Sequence, residues 1–526
     1  SIGSKMDNSL VMTSVLAKDS KLDESLKERL LAKQENSTRY NQMLEFRKKL
    51  PSFQMRHDIL QMVRENQAVA RQPKWLSLSW TTTFYRGEGS TCHVVCTQPR
   101  RISATSVAER VASERDEVCG ADSTGYQIRL EAKICRKKGS ILFCTTGILL
   151  QWMRSDPALR EVSHLVLDEI HERDVTSDFV ITILKDIIPK RPNLKVILMS
   201  ATLNAEQFSK YYDNCPSINI PGFTYPVEEF YLEDVLHLTN FTAFKPPRQE
   251  QGWKKHMPQN KSKLRKVDEF KDFIEPYIRH LQSQKKYSSR VLECLKNPNS
   301  EDICLELVEA LLHHICSTKE YGAILVFLPG WADISSLHSI ITDCGRYPSS
   351  RYIVIPLHSM MPTTTQKSVF DRPPHGVRKI VLATNIAETS ITIDDVVYVV
   401  DCGKIKMKNF DVENNIATLK SEWVSLANAR QRKGRAGRVQ PGVCYHLYTR
   451  AREMTLENYP LPEMLRSRLE EVILQLKILQ LGQAEPFLQR VMDPPDPRVL
   501  EISLKVGQYH ESIFLSWLGT QREYRV

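Results

Sequence analysis

Glycine is missing where it would matter most. Between Gly3 and Gly87 there is none. A loop that cradles phosphates needs glycines so that successive backbone N–H groups can close on the oxygens, a Lys to reach the outer phosphates, and a Ser or Thr for Mg2+. The stretch after Gln67 reads Ala-Val-Ala-Arg-Gln-Pro-Lys-Trp-Leu-Ser-Leu-Ser-Trp-Thr-Thr-Thr and offers none of that geometry. Both the loop and the buried strand leading into it are expected to be absent. The one Gly-Lys dipeptide, Gly403-Lys404, lacks an upstream glycine at the required spacing. Twelve cysteines occur without a Cys-x-x-Cys or a paired His spacing, which argues against zinc and for reduced thiols in an intracellular protein. Cys92 and Cys96 are expected to be core thiols beside a strand. No apolar run approaches the roughly 20 residues of a membrane span, and the amino terminus lacks a basic-then-apolar signal layout. A soluble protein of nucleus and cytoplasm, with no membrane partner and no metal beyond Mg2+, is the expectation.

What is present fills more than one core: 526 residues, 41% of them hydrophobic. The net charge of +10 suits a polyanion, although such an excess is as often a solvated surface. The central stretch is Ser-His-Leu-Val-Leu-Asp-Glu-Ile-His-Glu-Arg, Ser163 to Arg173. An apolar run ending in two carboxylates is how a buried parallel strand delivers acids to the crevice above an α/β sheet. In nucleotide hydrolysis the first acid, Asp168, would hold Mg2+, and Glu169 would orient or deprotonate the attacking water. Alone, such a pair is more often a solvated turn.

Its company decides. Residues 1–50, with Leu22, Leu26, Leu30 and Leu31 at helical spacing, read as an exposed helical extension, followed by an amphipathic helix ending near Asn66-Gln67. His93–Cys96 reads as a strand entering Pro99-Arg100-Arg101 and a helix, which leaves two arginines where they can meet a phosphate backbone. Gly125–Arg129 and Ile141–Leu150 repeat that plan, with Thr145, Thr146 and the Gly147 amide suited to a nucleic-acid strand. Val196–Met199 is a further strand, ending in Ser200-Ala201-Thr202, whose two hydroxyls can relay occupancy of the metal site. Ile218–Pro226 has the proline and glycine density of a link. Residues 243–318 read as a polar, partly helical surface insertion. Strands at Gly322–Leu328, Tyr352–Leu357, Arg378–Ala383 and Val396–Asp401 then build a second doubly wound domain. Gln431-Arg432-Lys433-Gly434-Arg435-Ala436-Gly437-Arg438 places Gln431, Arg435 and Arg438 on one side of a helical stretch. No structural reason for Arg and Gly at that spacing is evident.

In this order the blocks resemble superfamily 2 helicases of the DEAH-box type, over roughly Leu50 to Pro495 apart from the stretch after Gln67. Asp168-Glu169-Ile170-His171 carries Ile where the family usually has Ala. With Leu328–Trp331, Asn385–Asp395 and Gln431–Arg438, it is most similar to the branch that binds AU-rich RNA and resolves G-quadruplexes. The resemblance implies an α/β fold of two RecA-like doubly wound parallel-sheet domains, 51–222 and 223–466, with ATP between them, a helical extension before and the start of a helicase-associated region at 467–526. It further implies Asp168 and Glu169 at Mg2+, Glu169 as general base, and His171 and Gln431 linking the γ-phosphate region to the other domain. Arg435 and Arg438 would be arginine fingers. Ser390, Asp394 and Gly434 would meet ribose or phosphates, Arg110 and Phe370 would sandwich adenine, and Arg100, Arg101, Thr145, Thr146, Thr384 and Thr389 would hold the nucleic-acid backbone. Ser200 and Thr202 would couple the two activities.

The departures shape the alternatives. The family's Gly-x-x-x-x-Gly-Lys-Thr loop is replaced, the chain stops soon after Asp493-Pro494-Pro495, and the glycine-rich amino-terminal element of quadruplex resolvers is not found. The abrupt changes at Ala68 and near Val506 fit a spliced or misassembled transcript. Three readings stand: an ATP-dependent RNA helicase that also acts on DNA or G-quadruplexes and moves 3′ to 5′, a catalytically impaired RNA-binding protein on a degenerate scaffold, and a DNA translocase or nuclease subunit.

Overall fold

The structure, a computed structural model, describes residues 16–71, 89–201, 205–220, 225–242, 244, 261–362, 366–389, 393–411 and 413–505. It divides into two compact units. Unit 1 comprises Ser1–Phe223, Lys408–Leu419 and Leu461–Val526, and unit 2 comprises Thr224–Met407 and Lys420–Pro460.

Unit 1 is built on eight strands: β1 (Ala68–Arg71), β2 (His93–Gln98), β3 (Thr124–Ile128), β4 (Glu131–Lys133), β5 (Ser140–Thr145), β6 (His164–Leu167), β7 (Lys195–Met199) and β8 (Ser217–Ile218). Their order is β4-β3-β5-β2-β6-β7-β1-β8, parallel throughout except for β3 with β4. The strands read as continuous apolar runs because both faces are covered. Along β7, Val196 and Leu198 enter one core while Ile197 and Met199 enter the other. The same alternation carries β1, with Ala70 on one face and Val69 on the other. The expectation that the strand after Gln67 is lost is therefore corrected. Four residues with two buried side chains suffice to pair with β7 and β8, and a strand needs no glycine. The tryptophan-bearing segment beyond Arg71 lies outside the described residues.

The amino-terminal helices are part of this core, not an exposed appendage. Asp19 accepts from the Leu22 N–H at 3.0 Å and starts the helix Ser20–Asn36. Leu26 and Leu30 then bury in the cluster that holds Val94 of β2 and Ile128 of β3, each contributing roughly 1.5–3 kcal/mol. Asp23 accepts from both the Ser90 N–H (2.6 Å) and its hydroxyl (2.9 Å), which fixes the entry to β2. A second tether joins Lys33 to Glu117 at 3.1 Å. Burial opposes the Glu117 charge, but Arg115, Lys33 and hydrogen bonds from Arg115 and Ser123 outweigh it and hold its carboxyl at about 2. A carboxyl depressed in this way adds stability above its ordinary 4.5 that disappears as pH falls through about 2, on the order of 3 kcal/mol. Hydrogen-exchange protection factors across Ser20–Lys48 should fall in that window in the native chain, whereas in Lys33→Ala they should be lower already at neutral pH. Identical exchange in the two proteins would refute the tether.

Residues from Leu461 onward return to unit 1. The helices Glu470–Ile478 and Ala484–Leu488 place Leu469, Val472, Ile473, Leu476, Phe487 and Leu488 in the core beneath the helix Val175–Ile187. Phe179 and Phe487 meet with ring centroids 5.3 Å apart.

Unit 2 has six parallel strands, β9 (Val227–Phe230), β10 (Ala323–Phe327), β11 (Tyr352–Leu357), β12 (Arg378–Ala383), β13 (Val396–Asp401) and β16 (Gly442–His446), in the order β11-β12-β10-β13-β16-β9. The strands β14 (Lys404–Asp411) and β15 (Ile416–Trp423) form a separate ribbon. The region read as a polar surface insertion is instead one wall of this unit. Helices Lys261–Gln284, Ser289–Leu295 and Leu305–Thr318 bury Phe270, Ile274, Ile278, Leu295, Leu311 and Ile315 in the cluster that holds Ile324 and Val326 of β10. Lysines on the outer faces had masked an apolar stripe of ordinary helical spacing. Among the described residues no helix is long and apolar enough to cross a membrane. All twelve cysteines are free thiols.

Candidate active site

In unit 1, parallel register brings several strand ends to one edge. Thr97 lies opposite Leu167, Leu167 opposite Leu198, Arg71 opposite Met199 and Gln98 opposite Thr145. Gln98, Thr145, Asp168 and Ser200 therefore emerge at the carboxyl edge of the sheet, where open α/β folds bind ligands. The Asp168 N–H donates to the Thr97 carbonyl at 3.2 Å. Its carboxylate accepts from the Gln98 amide (2.7 Å) and from the Glu169 N–H (2.8 Å). Burial pushes the Asp168 carboxyl up to about 8, and the neighbouring Glu169 adds to this, against those hydrogen bonds and His171. Two adjacent hard oxygen donors in this condition fit Mg2+, which takes one or two carboxylates and fills the rest of its shell with water and phosphate.

The turn carrying these acids is strained and pinned. Glu169 and Arg173 adopt left-handed conformations, φ +56° and +51°, around the single 3-10 turn Ile170–Glu172. Each costs on the order of 1 kcal/mol and persists only because contacts enforce it. His171 Nδ1 accepts from the Ala201 N–H at 3.1 Å and lies 3.4 Å from Glu169 Oε2. Arg100 pairs with Glu172 at 3.2 Å. Arg173 grips Asp178 through Nε and Nη2 at 3.0–3.1 Å and also donates to Asp493. Asp174 then caps the helix Val175–Ile187 through the Ser177 N–H.

The remaining unit 1 candidates are placed as follows. Arg101 is exposed at the first turn of the helix Arg101–Glu114, and Arg110, further along it, pairs with Glu114 at 2.8 Å. Thr145 stands at the N-cap position of the helix Thr146–Ser155 without a side-chain capping bond; Thr146 is buried, while Gly147 is exposed with open space where a Cβ would stand. Ser200 is buried at the end of β7. Thr202 lies outside the described residues.

In unit 2, Ser425 caps the helix Leu426–Lys433 by accepting from the Asn428 N–H at 3.2 Å. The helix stops at Lys433, with Gly434 as its C-cap, so Arg435 and Arg438 sit in the turns beyond it. The expectation of one helical face for Gln431, Arg435 and Arg438 is corrected accordingly. Arg435 is buried, its guanidinium donating from Nε to the Glu388 carbonyl at 2.7 Å. The Gln431 amide is enclosed without a hydrogen-bond partner among the described residues. Arg438 is half-buried. Thr384 is buried after β12, Thr389 and Phe370 are half-buried, and Asp394 is exposed in the turn before β13. Ser390 lies outside the described residues.

The stretch also has the structural reasons that its spacing did not reveal. Arg432, fully buried, donates to Glu388 at 2.9 Å and to Asp401 at 2.7 Å while lying over the Phe327 ring. His446 continues the chain of charges, 3.5 Å from Asp401 and 3.2 Å from Glu229, which also pairs with Lys433 at 3.0 Å. Gly437 approaches Tyr225 so closely that a Cβ would lie 2.6 Å from its carbonyl oxygen. Gln98, Glu172, Arg173, Arg432 and Asp401 were assigned no role from the sequence. For Gln98 and Asp401 the available signal was a polar residue closing an apolar strand.

Comparison with known proteins agrees with this geometry. Residues 77–210 match the DEAD/DEAH box helicase family and residues 306–440 match the helicase conserved C-terminal domain. The chain is 51% identical over 499 residues to the ATP-dependent DNA/RNA helicase DHX36 of Bos taurus, covering 93% of this chain and 49% of that protein. It is 50% identical to the Homo sapiens protein of the same name, with the same coverage. To the DExH-box ATP-dependent RNA helicase DExH1 of Arabidopsis thaliana it is 44% identical over 476 residues, 88% of this chain and 47% of that one. The chain spans about half the length of the curated relatives it matches.

Proposed function

We propose, from the premise that this chain belongs to the DEAH/DExH-box helicases, that its two sheet units are the motor of an ATP-dependent RNA helicase that also accepts DNA, G-quadruplexes included, and advances 3′ to 5′. The observation that carries this reading is the acid turn, in which Asp168 and Glu169 are held at the carboxyl edge by Gln98, Ala201 and Arg173. In this reading Asp168 and Glu169 would hold Mg2+, and the bound ion would supply charge neutralisation at the phosphates. Glu169 orients and deprotonates the attacking water. The Gln431–Arg438 stretch presents fixed cations to the transferring phosphoryl group. Arg100, Arg101, Thr145 and Thr146 from unit 1, with Thr384 and Thr389 from unit 2, hold the backbone, giving strong salt dependence and little sequence preference. Ser200 and Thr202 couple the two events, while Ser390, Asp394, Gly434, Arg110 and Phe370 serve the nucleotide.

One observation favours a second reading. The glycine-free stretch after Gln67 lacks the amides that cradle phosphates, so a chain that binds RNA without hydrolysing ATP fits it. RNA-stimulated ATP hydrolysis, measured beside Glu169→Gln, separates the two. A functional site should lose about 10²–10⁴-fold on that substitution. Equal background rates in both proteins would retire the enzyme reading and leave RNA binding.

A further inference from the structure

Two side chains of one strand-to-helix turn hold the acid turn, and both come from the segment that the proposed function assigns to nucleic acid. Gln98 ends β2 and donates to Asp168 at 2.7 Å. Two residues later Arg100 reaches Glu172 with Nη2 at 3.2 Å, at the far end of the same acid turn. The two contacts differ in kind. Gln98 is fully buried, so its bond is a fixed strut. The Arg100–Glu172 pair keeps about a fifth of each side chain in solvent, 21% and 17%. An ion pair that keeps some contact with solvent can be exchanged for another anion.

We infer that Glu172 is a gate for nucleic acid: it holds Arg100 in the unoccupied protein and is displaced when a backbone phosphate takes the same guanidinium. The planar fork of Arg100 matches a phosphate as well as it matches a carboxylate, so the two anions compete for one site. When the phosphate wins, Glu172 loses its contact with Arg100 at the last residue of a turn whose ends, Glu169 and Arg173, are both left-handed. That turn is then free to change its tension on Asp168 and Glu169. Glu172 thus acts as a positioning residue, and occupancy of the backbone site is reported to the acids over a single ion pair. This inference rests on the proposed role of Arg100 as a phosphate contact.

The test is a double-mutant cycle read by binding, with no nucleotide present. The affinity of the whole chain for a fluorescently labelled oligouridylate is measured by anisotropy across a salt series, for native protein, Arg100→Ala, Glu172→Gln and the double variant. Thermal melts confirm folding, and Glu172→Asp serves as the charge-retaining control. Arg100→Ala should weaken binding and lower the salt slope by about 0.7, one phosphate contact on a single strand. Glu172→Gln should tighten binding about threefold, the effect of releasing a partly exposed pair, and Glu172→Asp should not. The gain should vanish in the Arg100→Ala background. Hydrogen exchange over His164–Arg173 should quicken on RNA addition in native protein and be already fast in Glu172→Gln. If Arg100→Ala leaves affinity and slope unchanged, the assignment of Arg100 to the backbone is wrong and the gate falls with it. If Arg100→Ala weakens binding but Glu172→Gln gives no gain, or the same gain in both backgrounds, the assignment survives and the gate alone is overturned. Exchange over His164–Arg173 that ignores RNA in native protein likewise removes the link to the acids.

Discussion

Grafting a Gly-x-x-x-x-Gly-Lys-Thr loop onto the end of β1, directly after Arg71, should raise RNA-stimulated ATP hydrolysis at least about a hundredfold, since even one preorganised donor to a developing charge is worth about 10²–10³. The expectation rests on β1 itself. Ala68–Arg71 is in parallel register with β7, with Arg71 opposite Met199, so a loop leaving its carboxyl end would start at the edge where Asp168 and Ser200 emerge. Gln98, Ala201 and Arg173 already fix the acid turn. Only the backbone amides and the lysine of the cradle have to be supplied. Glu169→Gln in the grafted chain should return hydrolysis to background. A grafted chain that binds labelled ATP yet hydrolyses no faster than its Glu169→Gln counterpart would show that the acid turn is not a competent site.

Arg432→Ala should destabilise unit 2 by about 3–5 kcal/mol, the penalty for leaving buried charges without their partner. Arg432 is the common partner of Glu388 and Asp401, both almost wholly buried. Burial works against the Asp401 charge, but Arg432 beside it and then His446 outweigh that effect and hold the carboxyl far below the usual range. In the native chain this stabilisation is present above the ordinary carboxylate value and is lost only as pH falls through that depressed value. Without Arg432 the carboxyl returns toward or above the ordinary range, so the variant should also unfold at higher pH on acidification. Arg432→Lys should recover little, because one ammonium cannot serve two carboxylates as a planar fork does. Urea denaturation followed at neutral and acidic pH measures both effects. A loss below about 1 kcal/mol, the scale of an exposed ion pair, would mean that the network carries no stability.

These two expectations mark what could be read from the chain beforehand. Strands such as Val196–Met199 and Ala323–Phe327 were legible because burial on both faces leaves uninterrupted apolar runs. The acid pair was legible because it closes one of those runs. β1 was missed because four short residues next to an unfamiliar segment carry almost no periodic signal. The ribbon of β14 and β15 was missed because its residues are exposed or half-buried on both faces. Arg432 and Arg435 could not be told apart by type or spacing. What distinguishes them is that one meets side-chain carboxylates from β13 and the Asn385–Glu388 turn, and the other a backbone carbonyl. Such partners lie tens of residues away in sequence, and nothing local encodes them.

Because the hydrophobic interior of unit 1 draws Leu469, Val472, Phe487 and Leu488 from beyond Leu461, and Arg173 reaches forward to Asp493, unit 1 is not complete when its own strands have left the ribosome. Its sheet is synthesised first, yet it must wait through some 240 further residues for the helices that seal it. During vectorial synthesis unit 2, whose contributing segments end at Pro460, closes before the unit that precedes it. The nascent chain therefore passes through a stage in which the apolar flank of the helix Val175–Ile187 is greasy and uncovered, the stage at which a chaperone has something to hold.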